Sequence, residues 1–232
     1  GIDGCKSGWF FVALSINDDW EIGIVPRISD LSEEIEKSSL TLIDIPIGLR
    51  EQDTQERLCD LAARKVLGKR RSSVFPAPSR LSINCSTYQE GSSINHQYTG
   101  RKLSQQSWAI ANKIHEVDIF LRSKELMGNV REMHPEVCFW ALNKKMEMDH
   151  SKKTIEGVNQ RLNILSKFHN NSSAILDSSL AKYLRKEVAK DDIIDALVGA
   201  VTAKLFDSIE TLPSKPESDS KGIPMEMVYP NI

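Results

Sequence analysis

The stretch DDIIDALVGAVTA, residues 191–203, carries three aspartates at the start of a segment whose other residues are apolar or small. The stretch predicts a long, buried helix over residues 191–207. An ionised carboxylate in apolar surroundings costs several kcal/mol unless it is hydrogen-bonded, paired with a cation or bound to a metal. Asp195 therefore needs a compensating partner from elsewhere in the chain.

The three aspartates of this helix have different interpretations. Asp191 is a candidate N-cap, and Asp192 is favoured by the positive end of the helix. Asp192 and Asp195, three residues apart, share one helix face, which predicts that both point toward strand ends. The helix also carries small residues that permit a close approach to a sheet: Ala196, Gly199, Ala200 and Ala203.

The first fifty residues predict most of a sheet. WFFVALSI (residues 9–16) and EIGIVPRI (21–28) read as antiparallel strands joined by the turn NDDW. A helix is predicted over residues 29–38 from its capping residues and apolar spacing. LTLIDIPIGL (40–49) is nearly all apolar, which is typical of a strand buried on both faces.

The remaining chain predicts helices, one strand and a tail. We interpret residues 1–232 as a single domain with a helical insertion over residues 50–127. Within the insertion, helices are predicted at 54–68 and 104–126, separated by the polar, proline-containing segment 69–82. A short strand is predicted in 129–136, helices at 152–168 and 178–189, and a flexible Pro/Ser tail before an edge strand at 224–229.

Two further aspartates lie in strand-like segments. Asp3 precedes the turn GCKSGW, and its structural explanation is a turn-starting side chain that accepts backbone hydrogen bonds. Asp44 lies among Leu42, Ile43 and Ile45, where a surface salt bridge has no place. Catalytic groups of α/β sheets commonly occupy the carboxyl ends of buried strands, so we interpret Asp44 as functional.

Together Asp3, Asp44, Asp192 and Asp195 predict a cation site. Carboxylate oxygens are hard ligands that suit Mg²⁺ or Mn²⁺. Two such ions about 3.5–4 Å apart activate water and stabilise the leaving oxygen in phosphodiester cleavage. Each segment alone is a weak signal, whereas the ordered set is a stronger one.

Composition excludes few functions. The 232 residues are 40% hydrophobic and 27% charged, with a net charge of −2, which argues against a chain coated in basic residues. Four well-separated cysteines favour neither a zinc knuckle nor a disulfide framework and fit a cytoplasmic setting. No apolar stretch approaches the roughly 20 residues that span a bilayer, so no membrane partner is expected.

Several motifs taken together resemble a known family. The segments GIDGCKSGW, DIPIGL, SVFPAPSR, LSQQSWAIANKIHEVD, EMHPE and DDIIDALVGA are similar to those of DUF429, a family of predicted ribonuclease H-like nucleases. DDIIDALVGAVTA also resembles the final helix of RuvC-type Holliday-junction resolvases. The resemblance implies an α/β fold with a mixed five-stranded sheet, the first three strands antiparallel and the rest parallel, flanked by helices. It also implies metal coordination by Asp3, Asp44, Asp192 and Asp195.

The motif EMHPE adds candidates of second rank. Alternation places Glu132 and His134 on one strand face. Glu132 and Glu136 are candidate catalytic carboxylates, although a glutamate after a first-turn proline also suits a helix N-terminus. His134 is a candidate base or ligand-orienting residue, although a lone histidine is more often structural.

Basic and polar residues predict a phosphate-bearing partner. Residues 61–80 contain six basic and no other charged side chains, which suits nucleic-acid phosphates or, equally, a solvated helix end. Gln105 and Gln106 are candidates for substrate contact, and Lys6 and Ser7 for phosphate contact in the first turn. The candidate substrate-binding side chains are Lys6, Ser7, Arg70, Arg71, Arg80, Gln105, Gln106 and His134.

Three functional hypotheses follow. The first is a Mg²⁺- or Mn²⁺-dependent nuclease that hydrolyses DNA or RNA through an acidic two-metal site. The second is a non-catalytic module that binds nucleic acid or a partner, which the full acidic set disfavours because clustered like charges destabilise a metal-free scaffold. The third is an ATP-dependent phosphotransferase, but a second glycine-rich phosphate loop and a duplicated fold are missing from the sequence.

Overall fold

A computed structural model of the chain describes residues 1–124 and 129–232. The strands are β1 (Ile2–Cys5), β2 (Gly8–Leu14), β3 (Trp20–Val25), β4 (Thr41–Asp44), β5 (Val130–Glu132), β6 (Ile209–Ser218) and β7 (Pro224–Pro230). The helices are α1 (Ser32–Lys37), α2 (Leu58–Leu67), α3 (Tyr88–Thr99), α4 (Gln105–Ala109), α5 (Ala111–Lys124), α6 (Pro135–Leu142), α7 (Ile155–Leu165), α8 (Ser172–Lys182) and α9 (Lys190–Lys204).

The chain divides into two compact units. The first contains Gly1–Asp44, Gly128–Glu210 and Val228–Ile232, and the second contains Ile45–Met127 and Thr211–Met227. The predicted insertion, 50–127, falls in the second unit, to which a segment near the carboxyl end of the chain also contributes.

A five-stranded mixed sheet forms the base of the first unit. Its strand order is β3-β2-β1-β4-β5. β1, β2 and β3 pair antiparallel, whereas β4 pairs parallel with β1 on one side and with β5 on the other. The predicted sheet is thereby confirmed, and its order and directions are those expected of a ribonuclease H-like fold.

The sheet is held by the apolar runs that predict it. Trp9, Phe10, Leu42 and Ile43 are fully buried. Burying a large apolar side chain contributes about 1.5–3 kcal/mol. Strand β4 is shorter than the predicted run, because it ends at Asp44.

Helix α9 packs closely on this sheet. Every residue from Ile193 to Thr202 is buried. A Cβ atom added at Gly199 would lie 2.8 Å from Met133 Cε and 3.2 Å from Gly1 Cα. A side chain at Gly199 would require Met133 to shift and would press on the backbone of Gly1, so this small residue lets the helix approach the strands closely. Among the described residues, no helix is both long and apolar enough to cross a membrane.

Four local predictions were wrong. The helix predicted over residues 178–189 lies earlier in the chain, as α8, and ends at Lys182. Helix α3 was not predicted from the polar segment that forms it. The helix predicted over 104–126 is divided at Ile110 into α4 and α5, and residues 125–126 lie outside the described residues. The Pro/Ser tail forms strand β6, which pairs with β7 in a separate two-stranded sheet instead of remaining flexible. The predicted strand near the carboxyl end exists as β7, and a single parallel bridge joins its Val228 to Met133.

Candidate metal centre

The register of the central strands brings two acidic residues together. Asp3 on β1 lies directly opposite Asp44, the last residue of β4, in the parallel pair. Residues in register across neighbouring strands project from the same face of a sheet. The two carboxylates therefore lie on the same face of the sheet, although they are far apart in the sequence.

Helix α9 adds the third carboxylate. Carboxylate oxygens of Asp3, Asp44 and Asp195 all lie within 4.8 Å of one another. Asp3 and Asp195 are buried, at 8% and 1% exposure, and Asp44 is partly exposed. The close seat of α9 on the sheet thus places Asp195 above the ends of two adjoining strands.

Burial and mutual repulsion disfavour the charged form of all three aspartates. Burial, followed by the charges of Asp44 and Asp195, raises the pKa of Asp3 well above its ordinary value. Burial also raises the pKa of Asp44 and of Asp195 to about 7, against the opposing attraction of Lys152. The surroundings of the cluster therefore do not stabilise three ionised carboxylates fully.

Lys152 brings a positive charge into contact with this cluster. Its Nζ donates a hydrogen bond of 2.6 Å to Asp195 Oδ2 and lies 3.8 Å from Asp191 Oδ2. Although partial burial acts to lower it, the pKa of Lys152 is raised by Asp195 and by the neighbouring acidic groups. Lys152 was not a predicted site residue, because a lysine in the polar loop HSKKT looks like an ordinary solvated side chain.

The three carboxylates fit a hard divalent cation. They offer the oxygen ligands that Mg²⁺ and Mn²⁺ prefer, from rigid elements and within reach of a shared ion. Burial, the largest cause of their raised pKa values, disfavours the ionised carboxylates, and a bound cation would stabilise the ionised form. The arrangement is compatible with a metal site.

Comparison with known proteins identifies the family. The family model described as "Protein of unknown function (DUF429)" matches residues 1–218. The chain belongs to the DUF429 family. No curated protein and no solved structure matches it. Membership in DUF429 confirms the predicted resemblance to that family and, by the family's description, assigns no activity, and the resemblance of α9 to the final helix of RuvC-type resolvases stays a prediction.

The first turn of α9 differs from its predicted capping. The helix begins at Lys190, and Asp192 Oδ2 accepts a hydrogen bond of 3.1 Å from the backbone N–H of Ala189. Asp192, and not Asp191, therefore performs the capping. Asp192 is not one of the three clustered carboxylates, but its charge contributes to the raised pKa of Asp3 and of Asp44.

Glu136 has a buried arginine as its partner. It lies in the first turn of α6, and its Oε1 accepts a hydrogen bond from Arg161, whose side chain is fully buried. Arg161 also donates to the backbone carbonyls of Gly157 at 3.1 Å and of His150 at 3.3 Å. The charge of Glu136 still reaches Asp195, where it acts to raise the pKa. Nothing in the sequence distinguishes Arg161 from the other basic residues of a helix face.

The strand register separates Glu132 from the three aspartates. Glu132 is buried and lies opposite Ile43, which precedes Asp44. Because adjacent strand residues point to opposite faces, Glu132 projects from the other face of the sheet. His134, the residue before α6, is half-buried. The structure does not bring Glu132 into the cluster of this DUF429 protein.

The predicted substrate residues fall in three settings. Lys6 and Ser7 are exposed in the turn that follows β1, and Ser7 donates its backbone N–H to the Glu187 carbonyl at 3.2 Å. Arg71 is exposed in a 3₁₀ turn of the second unit, and Arg70 beside it is half-buried. Gln105 and Gln106 are exposed at the start of α4.

Arg80 occupies a different environment from the other predicted substrate residues. It is buried in the second unit and donates to Asp118 at 3.0 Å, to Glu51 at 3.1 Å and to Asp219. These ion pairs explain the presence of a buried arginine without a substrate. Contact of Arg80 with a substrate stays a prediction.

Proposed function

We propose that this DUF429 protein is a divalent-metal-dependent nuclease that hydrolyses phosphodiester bonds of DNA or RNA. The observation that carries the proposal is the meeting of Asp3, Asp44 and Asp195, from three distant segments, within 4.8 Å. The order and directions of the five strands support it, because a ribonuclease H-like sheet presents carboxylates at these strand ends. An acidic cluster that Lys152 compensates only in part has no evident value for folding alone.

Asp3, Asp44 and Asp195 would hold the cation, Mg²⁺ or Mn²⁺. When bound, such ions generate a nucleophilic water and stabilise the leaving oxygen in phosphodiester hydrolysis. Asp192 is proposed as an additional ligand, because its charge already acts on Asp3 and Asp44. Its Oδ2 accepts the hydrogen bond from the Ala189 N–H, so its Oδ1 would be the ligating oxygen.

The remaining site residues are proposed to act on the substrate or on the cluster. Lys6 and Ser7 are placed in the exposed turn next to Asp3, where they would meet a phosphate of the nucleic acid. Glu136, paired with Arg161, would tune the charge at Asp195 without ligating the ion. Arg70, Arg71, Gln105, Gln106 and His134 are proposed as further substrate contacts.

The test is cleavage of a panel of labelled nucleic acids with Mn²⁺ or Mg²⁺. The panel contains single-stranded, duplex, hybrid and branched molecules. We expect cleavage by the wild type and a loss of at least about 100-fold in Asp44→Asn and Asp195→Asn, because each change removes an ionised oxygen ligand. Asp177→Asn, on an exposed position of α8, is the matched control and should cleave at the wild-type rate.

Other outcomes separate the alternatives. Cleavage that persists unchanged in Asp44→Asn and Asp195→Asn would remove the cluster from the mechanism. Metal-dependent binding of nucleic acid without cleavage of any substrate would favour a binding module. Metal-stimulated ATP turnover without cleavage would favour a phosphotransferase.

A further inference from the structure

Lys152 already occupies part of the proposed metal site. Its ammonium lies 2.6 Å from Asp195 Oδ2, an oxygen of one of the three clustered carboxylates. The Asp195 side chain is 2% exposed, whereas that of Lys152 is 37% exposed, so the lysine reaches the buried carboxylate from a solvated side. The ammonium therefore contacts a carboxylate that would also bind a metal.

The loop that carries Lys152 is anchored at several points. The backbone N–H of His150 donates to Gln160 at 3.3 Å, and the side chain of Gln160 donates to Asp149 at 2.8 Å. Arg161 donates to the His150 carbonyl from beneath. These hydrogen bonds hold the backbone next to Lys152 in position. They therefore limit the space that the Lys152 side chain can reach and favour its contact with Asp195.

Close packing strengthens this placement. Gly157, in the first turn of α7, lies so near the Ser151 carbonyl that a Cβ atom there would overlap it. Thr154 donates its hydroxyl to the same carbonyl at 3.1 Å and accepts from the Gly157 N–H at 3.1 Å. Residue 152 is therefore presented to Asp195 by a tight turn at the helix start.

A divalent ion and the ammonium cannot both remain on the Asp195 carboxylate at no cost. Like charges a few ångström apart in a partly buried site repel strongly. Three ionised aspartates, each −1, and one ammonium of +1 in contact with them would carry a net charge of −2. The site therefore attracts a divalent cation, but that cation has to compete with Lys152 for Asp195.

We propose that Lys152 is a resident counter-ion of the carboxylate cluster, which stabilises the metal-free protein and is displaced from Asp195 when a divalent metal binds. The inference rests on the metal site of the proposed function and adds a regulation of it. Lys152 sets the metal concentration at which the site loads. Displacement also releases an ammonium group beside the site, where a substrate phosphate would carry complementary charge.

The test is direct measurement of Mn²⁺ affinity on the full chain at pH 8, above the pKa of about 7 of Asp44 and of Asp195. Free Mn²⁺ is followed by its electron paramagnetic resonance signal in the wild type, Lys152→Met and Lys152→Arg. We expect Lys152→Met to bind Mn²⁺ at least about tenfold more tightly, equivalent to about 1.4 kcal/mol. Lys152→Arg keeps the charge and should bind Mn²⁺ like the wild type, and the exposed neighbour Lys153→Met is the matched control.

Thermal unfolding provides the second readout. Without metal, Lys152→Met should melt at a lower temperature than the wild type, because the remaining carboxylates lose their cation. With Mn²⁺ it should gain more than the wild type gains. A lysine with a structural role alone would lower both melting temperatures equally and leave the affinity unchanged.

The outcomes distinguish this inference from the proposed function. Suppose that the wild type binds Mn²⁺ and Asp195→Asn does not. Equal or weaker binding by Lys152→Met would then overturn the counter-ion role of Lys152 and leave the metal site intact. Failure of every variant to bind Mn²⁺ would overturn the metal site, and the counter-ion with it.

Discussion

The two units of the molecule bury carboxylates in opposite ways. In the second unit, Asp219 accepts hydrogen bonds from the backbone N–H groups of Leu49, Lys221 and Ile223 at 2.8–3.0 Å. It also forms an ion pair with Arg80. Burial acts to raise the pKa of Asp219, but these donors lower it overall. The chain supplies what this carboxylate needs.

The aspartates of the first unit receive far less. Asp195 has Lys152 as a partner, and its pKa rises to about 7 because burial and Asp44 outweigh the lysine. A satisfied buried carboxylate holds structure together, whereas an undercompensated one is maintained at a cost to stability. This contrast supports the metal site proposed for Asp3, Asp44 and Asp195, and each prediction below tests one of the two units.

The largest effect is expected where the compensating cation is removed from the second unit. Arg80→Leu leaves Asp118 and Asp219, whose side chains are 4% and 0% exposed, without their shared cation. Breaking such a buried pair costs about 3–5 kcal/mol. Urea denaturation should show that decrease in the free energy of unfolding. Arg71→Leu, at an exposed position, should change it by less than about 0.5 kcal/mol.

The second prediction concerns pH and metal in the first unit. The pKa of Asp195 is about 7 in the folded protein and 3.8 in its ordinary state, so the folded protein binds more protons between these values. Stability of the metal-free protein therefore falls as pH rises from about 4 to about 7, because the unfolded chain ionises first. The loss is on the order of 1–4 kcal/mol.

The matched variant isolates this contribution. Asp195→Asn mimics the protonated side chain and should be more stable than the metal-free wild type at pH 8, with no difference at pH 4. Added Mg²⁺ should restore the wild type and have little effect on Asp195→Asn. A wild type and variant with parallel stability profiles from pH 4 to 8 would contradict the strain assigned to the cluster.

The difference between the aspartate cluster of the first unit and the ion pairs of Arg80 in the second also explains what the sequence could predict. Asp44 and Asp195 are conspicuous because they interrupt apolar runs, and the same runs predict the strand and helix that carry them. Lys152 and Arg161 follow no such rule, because a basic residue in a polar loop or on a helix face is ordinary. Only the folded chain shows that Lys152 contacts a carboxylate 43 residues away.

Helix α3 was missed for a related physical reason. Its buried face consists of Gly91, Ser92, Asn95 and Thr99 and has no apolar periodicity. Asn95 accepts from the Ser79 N–H at 2.8 Å and donates to the Arg101 carbonyl at 2.7 Å. Polar groups that are buried because they bond to each other resemble solvated groups in a sequence. The orientation of Glu132 could not be predicted either, because it depends on which residue of β4 lies opposite Glu132 in the sheet.

The third prediction tests the close packing that carries Asp195 to the sheet. Gly199→Ala adds a Cβ atom 2.8 Å from Met133 Cε, which can shift, and 3.2 Å from the backbone of Gly1. We expect a loss of about 1–2 kcal/mol, typical of overpacking, together with weaker Mn²⁺ binding as α9 moves outward. Ala203→Ser, at a half-buried position near the end of the same helix, should leave Mn²⁺ affinity unchanged. Unaltered Mn²⁺ affinity in both variants would mean that the metal site does not depend on how closely α9 packs on the sheet.

The smallest effect is expected from a second cation on a carboxylate that is already paired. Arg122 lies 3.1 Å from Asp118 Oδ2, one helical turn away, but its side chain is 39% exposed. Exposed ion pairs contribute about 0–1 kcal/mol, and Asp118 retains the buried guanidinium of Arg80. Arg122→Met should therefore lower the free energy of unfolding by less than about 1 kcal/mol in urea denaturation. A loss as large as that of Arg80→Leu would mean that a partly exposed cation stabilises a buried carboxylate as well as a buried cation does. Lys152, which is also partly exposed, could then compensate Asp195 fully, and the contrast between the two units would fail.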